Sequence, residues 1–170
     1  MDTGLLILRV VIGVLLVGHG SQKLSGWFGG YGLKGTGSYL AGLGYRPGVL
    51  FAFLAGAAEA VGGASLALGL GVPLGAALLV ATMINVASGH KRDRFWNHEG
   101  GWEFPMVLGV IAASLSFTGG GSYALDHAFD WSLSGNAWGV AALIAGALAG
   151  IATQATRRLQ LRRVAAASAA

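Results

Sequence analysis

Five apolar stretches run through the chain, at residues 4–20, 49–70, 72–89, 104–118 and 137–156. A helix crossing a bilayer needs about 20 apolar residues, within a range of about 17–25. The second, third and fifth stretches meet that length. The first meets it if Arg9 is accommodated, and the fourth needs tilt, thinned lipid or extension into 119–121. Inside hydrocarbon each backbone N–H and C=O must be satisfied within the chain, so stretches of this kind are confined to helices. The expected fold is therefore all-α, a polytopic membrane protein with five spans.

Composition agrees. Charged residues make up 11%, against about 25% in soluble domains. High hydrophobicity with low charge excludes disorder, and 30 glycines without a G-X-Y period exclude collagen. The absence of cysteine excludes disulfides, thiolate metal sites, iron–sulfur clusters and cysteine nucleophiles. The first stretch does not read as a signal peptide. It lacks a basic leader, and Ser21-Gln22-Lys23 follows it without a small-x-small cleavage site.

Between the stretches lie the Gly69-Leu70-Gly71-Val72-Pro73 turn and three longer connections, 23–48, 90–103 and 119–136. Glycine and proline end one helix and begin the next at the turn. The 23–48 segment is rich in glycine and aromatics, and 37–43 within it suits a short interfacial helix. No internal repeat or linker divides the chain. The expected organisation is a four-helix domain at 1–126, an additional span at 127–156 and a basic tail at 157–170.

Charge orients the bundle. With five spans, the N-terminal tail, the turn at Gly71 and the 119–136 loop share one side; they carry no Lys or Arg, and do carry Asp2, Asp126 and Asp130. The other side holds Lys23, Lys34, Arg46, Lys91, Arg92, Arg94, Arg157, Arg158, Arg162 and Arg163, ten of the 11 basic residues. The positive-inside rule then predicts an outside N-terminus and a cytoplasmic C-terminus in the plasma (inner) membrane. All five tryptophans fall near span ends, as an interfacial belt requires. Orientation accounts for the basic tail, so nucleic acid is not an expected partner.

Ionisable groups within a bilayer are costly and become the first site candidates. Arg9 and Glu59 both lie well inside their stretches, on faces of small residues where backbones approach closely. They are expected to pair, directly or through one polar group. The plain reading is an ion pair that fixes packing; the sharper one makes Glu59 a proton or ligand site. A second cluster gathers at the basic ends: His19, Gln22 and Lys23, then Asn85 and His90, then Asn97, His98, Glu99 and Glu103. His19 and Lys23 also suit a helix C-terminus, and Glu99 and Glu103 a helix N-terminus. His90, His98 and Glu103 match no zinc spacing, and His19 with His90 would hold haem only at the membrane edge. No metal is assigned.

Four segments carry a family resemblance. Arg9-Val10-Val11-Ile12-Gly13, His19-Gly20-Ser21-Gln22-Lys23-Leu24 and Gly26-Trp27-Phe28-Gly29-Gly30 resemble the first-helix signature of the DoxX family. Ala55-Gly56-Ala57-Ala58-Glu59-Ala60-Val61-Gly62-Gly63 with Leu68-Gly69-Leu70 resembles its second-helix signature, and Gly100-Gly101-Trp102-Glu103 the start of its fourth helix. The segment 119–126, ending Ser122-Tyr123-Ala124-Leu125-Asp126, resembles the one closing the family's domain, so the likeness spans about 4–126. It implies a four-helix DoxX-like transmembrane bundle, here with a fifth C-terminal transmembrane helix added.

The resemblance also implies an oxidoreductase context in bacteria. Some relatives are small subunits of a thiosulfate:quinone oxidoreductase. Others are linked to complexes with superoxide dismutase and a sulfurtransferase, or to oxidative and thiol stress. Arg9, His19, Gln22, Lys23, Glu59 and Glu103 are the family-like positions. Without cysteine, any sulfur chemistry belongs to a partner.

The leading expectation is a redox-associated membrane subunit that holds a quinone-like headgroup or small anion in a cytoplasmic-half pocket. His19, Lys23 and Glu59 would act as acid–base groups, with Arg9, Gln22, Asn85, His90 and Glu103 as ligand-binding residues. A non-enzymatic scaffold is the alternative, with Gly146-Ala147-Leu148-Ala149-Gly150 packing on partner helices or a second copy and the tail holding anionic lipid or a cytoplasmic enzyme. A small-solute transporter ranks lower, because five spans without repeats supply no symmetric halves.

Overall fold

A computed structural model describes residues 2–90 and 93–168, so Lys91 and Arg92, counted above among the basic loop residues, lie outside it. Seven α-helices run in chain order: α1 Asp2–Leu24, α2 Gly32–Gly42, α3 Gly48–Leu68, α4 Val72–Ser88, α5 Glu103–Thr118, α6 Leu125–Ala128 and α7 Asn136–Ser168. The described residues contain no strand. Helices α1, α3 and α7 are long and apolar enough to cross a membrane; α4 and α5 are apolar but have 17 and 16 residues. At 1.5 Å per residue these two reach about 25 Å, short of a ~30 Å hydrocarbon core. The expected short helix in 23–48 is present as α2, and it begins earlier, at Gly32.

The exterior is inverted relative to a soluble protein. Val11, Val14, Phe53, Val61, Val110, Ile144 and Leu148 each leave half or more of their surface exposed at mid-helix. Such a belt belongs in hydrocarbon. The interior is a cluster of Leu16, Leu66, Leu79, Met83, Leu108 and Leu115 from α1, α3, α4 and α5.

Small residues set the spacing between helices. A Cβ on Gly13 would lie 2.5 Å from the Gly63 carbonyl oxygen, and one on Gly20 would lie 2.6 Å from that of Gly56. Helices α1 and α3 thus meet backbone to backbone, as their small-residue faces predict. On α7 the buried residues are Gly139, Ala142, Gly146, Gly150 and Gln154, spaced by three and four. Gly146 presses on Ala77 and Val80, and Gly150 on Ile84, all in α4. The expectation that this glycine face meets a partner helix is corrected: α4 of the same chain occupies it.

The α3–α4 turn needs two left-handed residues, supplied by Gly69 (φ 67°) and Gly71 (φ 61°). Ser65 Oγ donates to the Leu70 carbonyl at 2.7 Å, and Pro73 sits in the first turn of α4. Asp126 then caps the turn from outside. Its carboxylate accepts from Gly71 N at 2.7 Å and Val72 N at 3.2 Å, while its own N–H donates to the Gly69 carbonyl at 2.9 Å. The segment that resembles the family's closing motif therefore closes the acidic end of the bundle.

Candidate functional site

The antiparallel register of α1 and α3 decides the fate of the buried charges. With Gly13 on Gly63 and Gly20 on Gly56, Arg9 stands level with Ala67. That is roughly 12 Å along the axis from Glu59 at 1.5 Å per residue. Side chains on a helix also lean toward its N-terminus. Arg9 leans toward the acidic end, away from Glu59, whereas Lys23 leans into the membrane and Glu59 leans toward it.

The expected Arg9–Glu59 pair is accordingly not formed. Arg9 is buried and donates to the carbonyls of Ala67 (2.7 Å), Leu66 (3.4 Å) and Tyr123. It ties α1 to the end of α3 and to the closing segment. Glu59 instead accepts from Lys23 Nζ at 2.5 Å; the carboxylate side chain is 3% exposed and the lysine 24%. The deep acid is matched by a base from the helix end, which the depth comparison from sequence did not weigh.

This pair lies on a cavity of about 550 Å³ in the basic half of the bundle, between α1, α3, α4 and α5, with α2 and α7 as further walls. Five of the expected site residues line it: His19, Lys23, Glu59, Asn85 and His90. Most of the remaining lining is apolar, including Leu16, Phe51, Leu54, Met83 and Leu108. His19 is held by Gln22, whose Oε1 lies 3.1 Å from Nδ1, and its ring meets Phe104 edge-on at 6.1 Å. Gln22 also donates to the Phe28 carbonyl at 3.2 Å, so it positions His19 and anchors the 26–30 turn from outside the cavity. His90 Nδ1 lies 2.8 Å from the Val86 carbonyl, which leaves Nε2 for other partners.

Arg9 and Glu103 are the other expected ligand residues outside the cavity lining. Glu103 accepts from Asn97 N at 3.0 Å and fixes the short 3-10 turn Asn97–Glu99. His98 does not line the cavity, and among the described residues no three His, Asp or Glu side chains gather as a metal set.

Asn85 reaches the cavity but is already engaged. Its Oδ1 accepts from Tyr45 Oη (3.1 Å) and Gln154 Nε2 (2.9 Å), and Gln154 Nε2 also lies 2.8 Å from Tyr45 Oη and 2.5 Å from Ser88 Oγ. Arg157 donates to the Leu43 carbonyl at 2.7 Å and stacks over the Tyr45 ring at 5.3 Å. Sequence reasoning missed this lock. Its signal was available: Gln154 is the one uncharged amide in the fifth stretch and continues the Gly146–Gly150 spacing.

These features define a multi-pass helical membrane protein with an apolar cavity carrying one buried ion pair. The chain matches the sequence model of the DoxX family over residues 4–91, and it belongs to that family. The match covers α1 to α4; the likenesses noted at 100–103 and 122–126, and α5 to α7, lie outside it. No curated protein and no solved structure matches the chain.

Proposed function

We propose that this protein is the membrane subunit of a redox system and that its cavity binds a quinone-like headgroup. The observation that carries the reading is the Lys23–Glu59 pair on the wall of a largely apolar cavity. A reducible carbonyl ligand needs a low-polarity slot for its ring and few, well-placed donors for its oxygens. Lys23 Nζ keeps one donor beyond its bonds to Glu59 and, at 3.5 Å, to the His19 carbonyl. His19, whose Nδ1–H is taken by Gln22 Oε1, adds its Nε2, an acceptor for a hydroxyl when the ring is neutral and a donor when it is protonated. Reduction of a quinone takes up two electrons and two protons. Electrons would come from a partner enzyme, and the ammonium, the imidazole and the Glu59 carboxyl are the groups able to pass protons. A small anion would use the same Lys23 and His19 donors.

The reading places the basic end in the cytoplasm and the chain in the plasma membrane, in keeping with the one-sided Lys and Arg distribution. Reporter fusions at each terminus test this, with a periplasmic signal expected at the N-terminus and a cytoplasmic one at the C-terminus. The site is tested by binding of quinone analogues to the protein in nanodiscs. Glu59→Gln and His19→Ala are each expected to weaken binding at least tenfold; unchanged affinity in both removes the site.

The scaffold reading has one observation in its favour. Helix α7 runs on past Gln154, its last buried residue, with Arg158, Arg162 and Arg163 exposed. Pull-down with the intact chain and with one truncated after Arg157 separates the two readings, since Arg157, which holds Leu43 and Tyr45 of the cavity lining, is then kept while the exposed Arg158, Arg162 and Arg163 are lost.

A further inference from the structure

The lining of the cavity reaches the apolar outer surface of the bundle. Besides Tyr39 on α2 and Phe104 at the start of α5, three residues that line the cavity, Leu54 on α3, Leu78 on α4 and Ala149 on α7, are also exposed on the outer surface of the bundle. Leu54 and Leu78 leave 51% and 40% of their surface open. All three lie within apolar stretches, where the outer surface faces acyl chains. Helix α7 packs on α4 and α5, and α3 packs on α1, α2 and α4; α3 and α7 are not among the pairs that pack along their length. The exposed lining residues thus flank α4 on the side of α3 and on the side of α7.

We infer that the cavity opens sideways into the bilayer between α3 and α7, and that its ligand is a lipid-dissolved amphiphile whose tail lies in this gap while its polar head reaches Lys23 and Glu59. This rests on the cavity being a ligand site and names the class of ligand and its path. The chemistry is graded along that path. The mouth presents Leu54, Leu78 and the small Ala149; the inner wall presents the ion pair. An apolar tail gains nothing by leaving the membrane, and a mouth without a charged rim costs it nothing to pass. The lock at Gln154 fixes α7 about 7–8 Å from the level of Ala149 at 1.5 Å per residue, so the gap is held at its basic end and open above it.

The test compares two probes in nanodiscs: a quinone analogue with a long isoprenoid tail and the same ring without a tail. Ala149→Trp fills the mouth from an exposed position, and Leu78→Trp does so from the α4 side. Either variant is expected to slow association of the tailed probe at least tenfold and leave the tailless probe unchanged. If both probes bind both variants at wild-type rates, access lies elsewhere and the inference fails. If both probes slow equally, the substitution has reshaped the cavity itself and the lipid-side route is again rejected. If the wild-type protein binds the tailless probe but not the tailed one, the cavity remains a site and only the route is lost. Failure of both probes to bind wild type removes the underlying site as well.

Discussion

Lys23 Nζ donates to Glu59 Oε2 across the α1–α3 interface at 2.5 Å, and the two ends of this bond live in different surroundings. The carboxylate side chain is 3% exposed, whereas that of the lysine is 24% exposed. An ionised carboxylate at that depth is tolerable because the ammonium is beside it. The lysine, at the last turn of α1, has another place to go. The pair is therefore asymmetric, and its two halves should respond differently to removal.

Lys23→Met strands the buried carboxylate and is expected to cost about 3–5 kcal/mol of stability. Glu59→Gln leaves an ammonium that can extend toward the headgroups, so its cost is expected to be clearly smaller. Joining Lys23→Met to Glu59→Leu should recover most of the loss, because no buried charge then lacks a partner. Unfolding in mixed micelles of the three variants measures this. Equal losses in the two single variants would show that the carboxylate is not the desolvated partner.

Glycines on α1 should divide sharply by position. Gly13 sits 2.5 Å, in Cβ terms, from the Gly63 carbonyl oxygen, and Gly4 and Gly18 have nothing within 4 Å. Gly13→Ala is expected to destabilise by about 1–3 kcal/mol through overpacking of the α1–α3 seam. Gly4→Ala and Gly18→Ala should be neutral or stabilising by up to about 1 kcal/mol, since alanine is the better helix former. Thermal unfolding of the three variants, with circular dichroism as the readout, separates the classes.

Much of the bundle was legible because its signals are one-dimensional. Apolar runs of span length give the helices, Gly69, Gly71 and Pro73 give the turn, and the small residues around Arg9 and Glu59 give the close α1–α3 contact. The pairing of the charges was not legible from depth alone. It depends on antiparallel register and on the lean of side chains toward helix N-termini, which sends Lys23 inward and Arg9 outward. The partner of Gly146 and Gly150 was likewise invisible, because a small-residue stripe fits any helix and only the fold shows that α4 fills it. Asp126 reads in sequence as a loop acid, and its capping of Gly71 and Val72 depends on a contact between segments far apart in the chain.

The lock around Gln154 should hold α7 more firmly than glycine packing alone. Gln154→Leu removes an amide whose two N–H groups are shared among Tyr45 Oη, Asn85 Oδ1 and Ser88 Oγ, all within 2.9 Å of its Nε2. Tyr45 Oη, Asn85 Oδ1 and Ser88 Oγ keep their bonds to one another, so the cost is that of lost hydrogen bonds, about 0.5–1.5 kcal/mol each. The expected outcome is a loss of that size together with faster trypsin cleavage at Arg157 and Arg158, as the end of α7 detaches. Glutamate at 154 should not rescue, because a carboxylate offers acceptors where donors are needed. Wild-type cleavage rates in Gln154→Leu would show that the lock carries no load.

The acidic end is closed by Asp126, and closure should depend on its acceptors rather than on its charge alone. Asp126→Ala leaves the N–H groups of Gly71 and Val72 unmatched at the start of α4, where a cap is worth about 0.5–2 kcal/mol. Asp126→Asn keeps one acceptor oxygen and should lose less. Asp93→Ala, on a carboxylate side chain 79% exposed at the basic end, should fall within about 0.5 kcal/mol of wild type. Arg9 is coupled to the same closure, since its guanidinium holds the Tyr123 carbonyl of the closing segment together with the carbonyls of Leu66 and Ala67. Asp126→Ala and Arg9→Met should therefore be non-additive when combined, each having already loosened the contact the other relies on. Hydrogen exchange supplies the check: amides at 69–72 and 121–126 should lose protection in either single variant, while those of the Lys23–Glu59 half keep theirs. Uniform loss of protection along all helices would mean that the two ends of the bundle do not open independently.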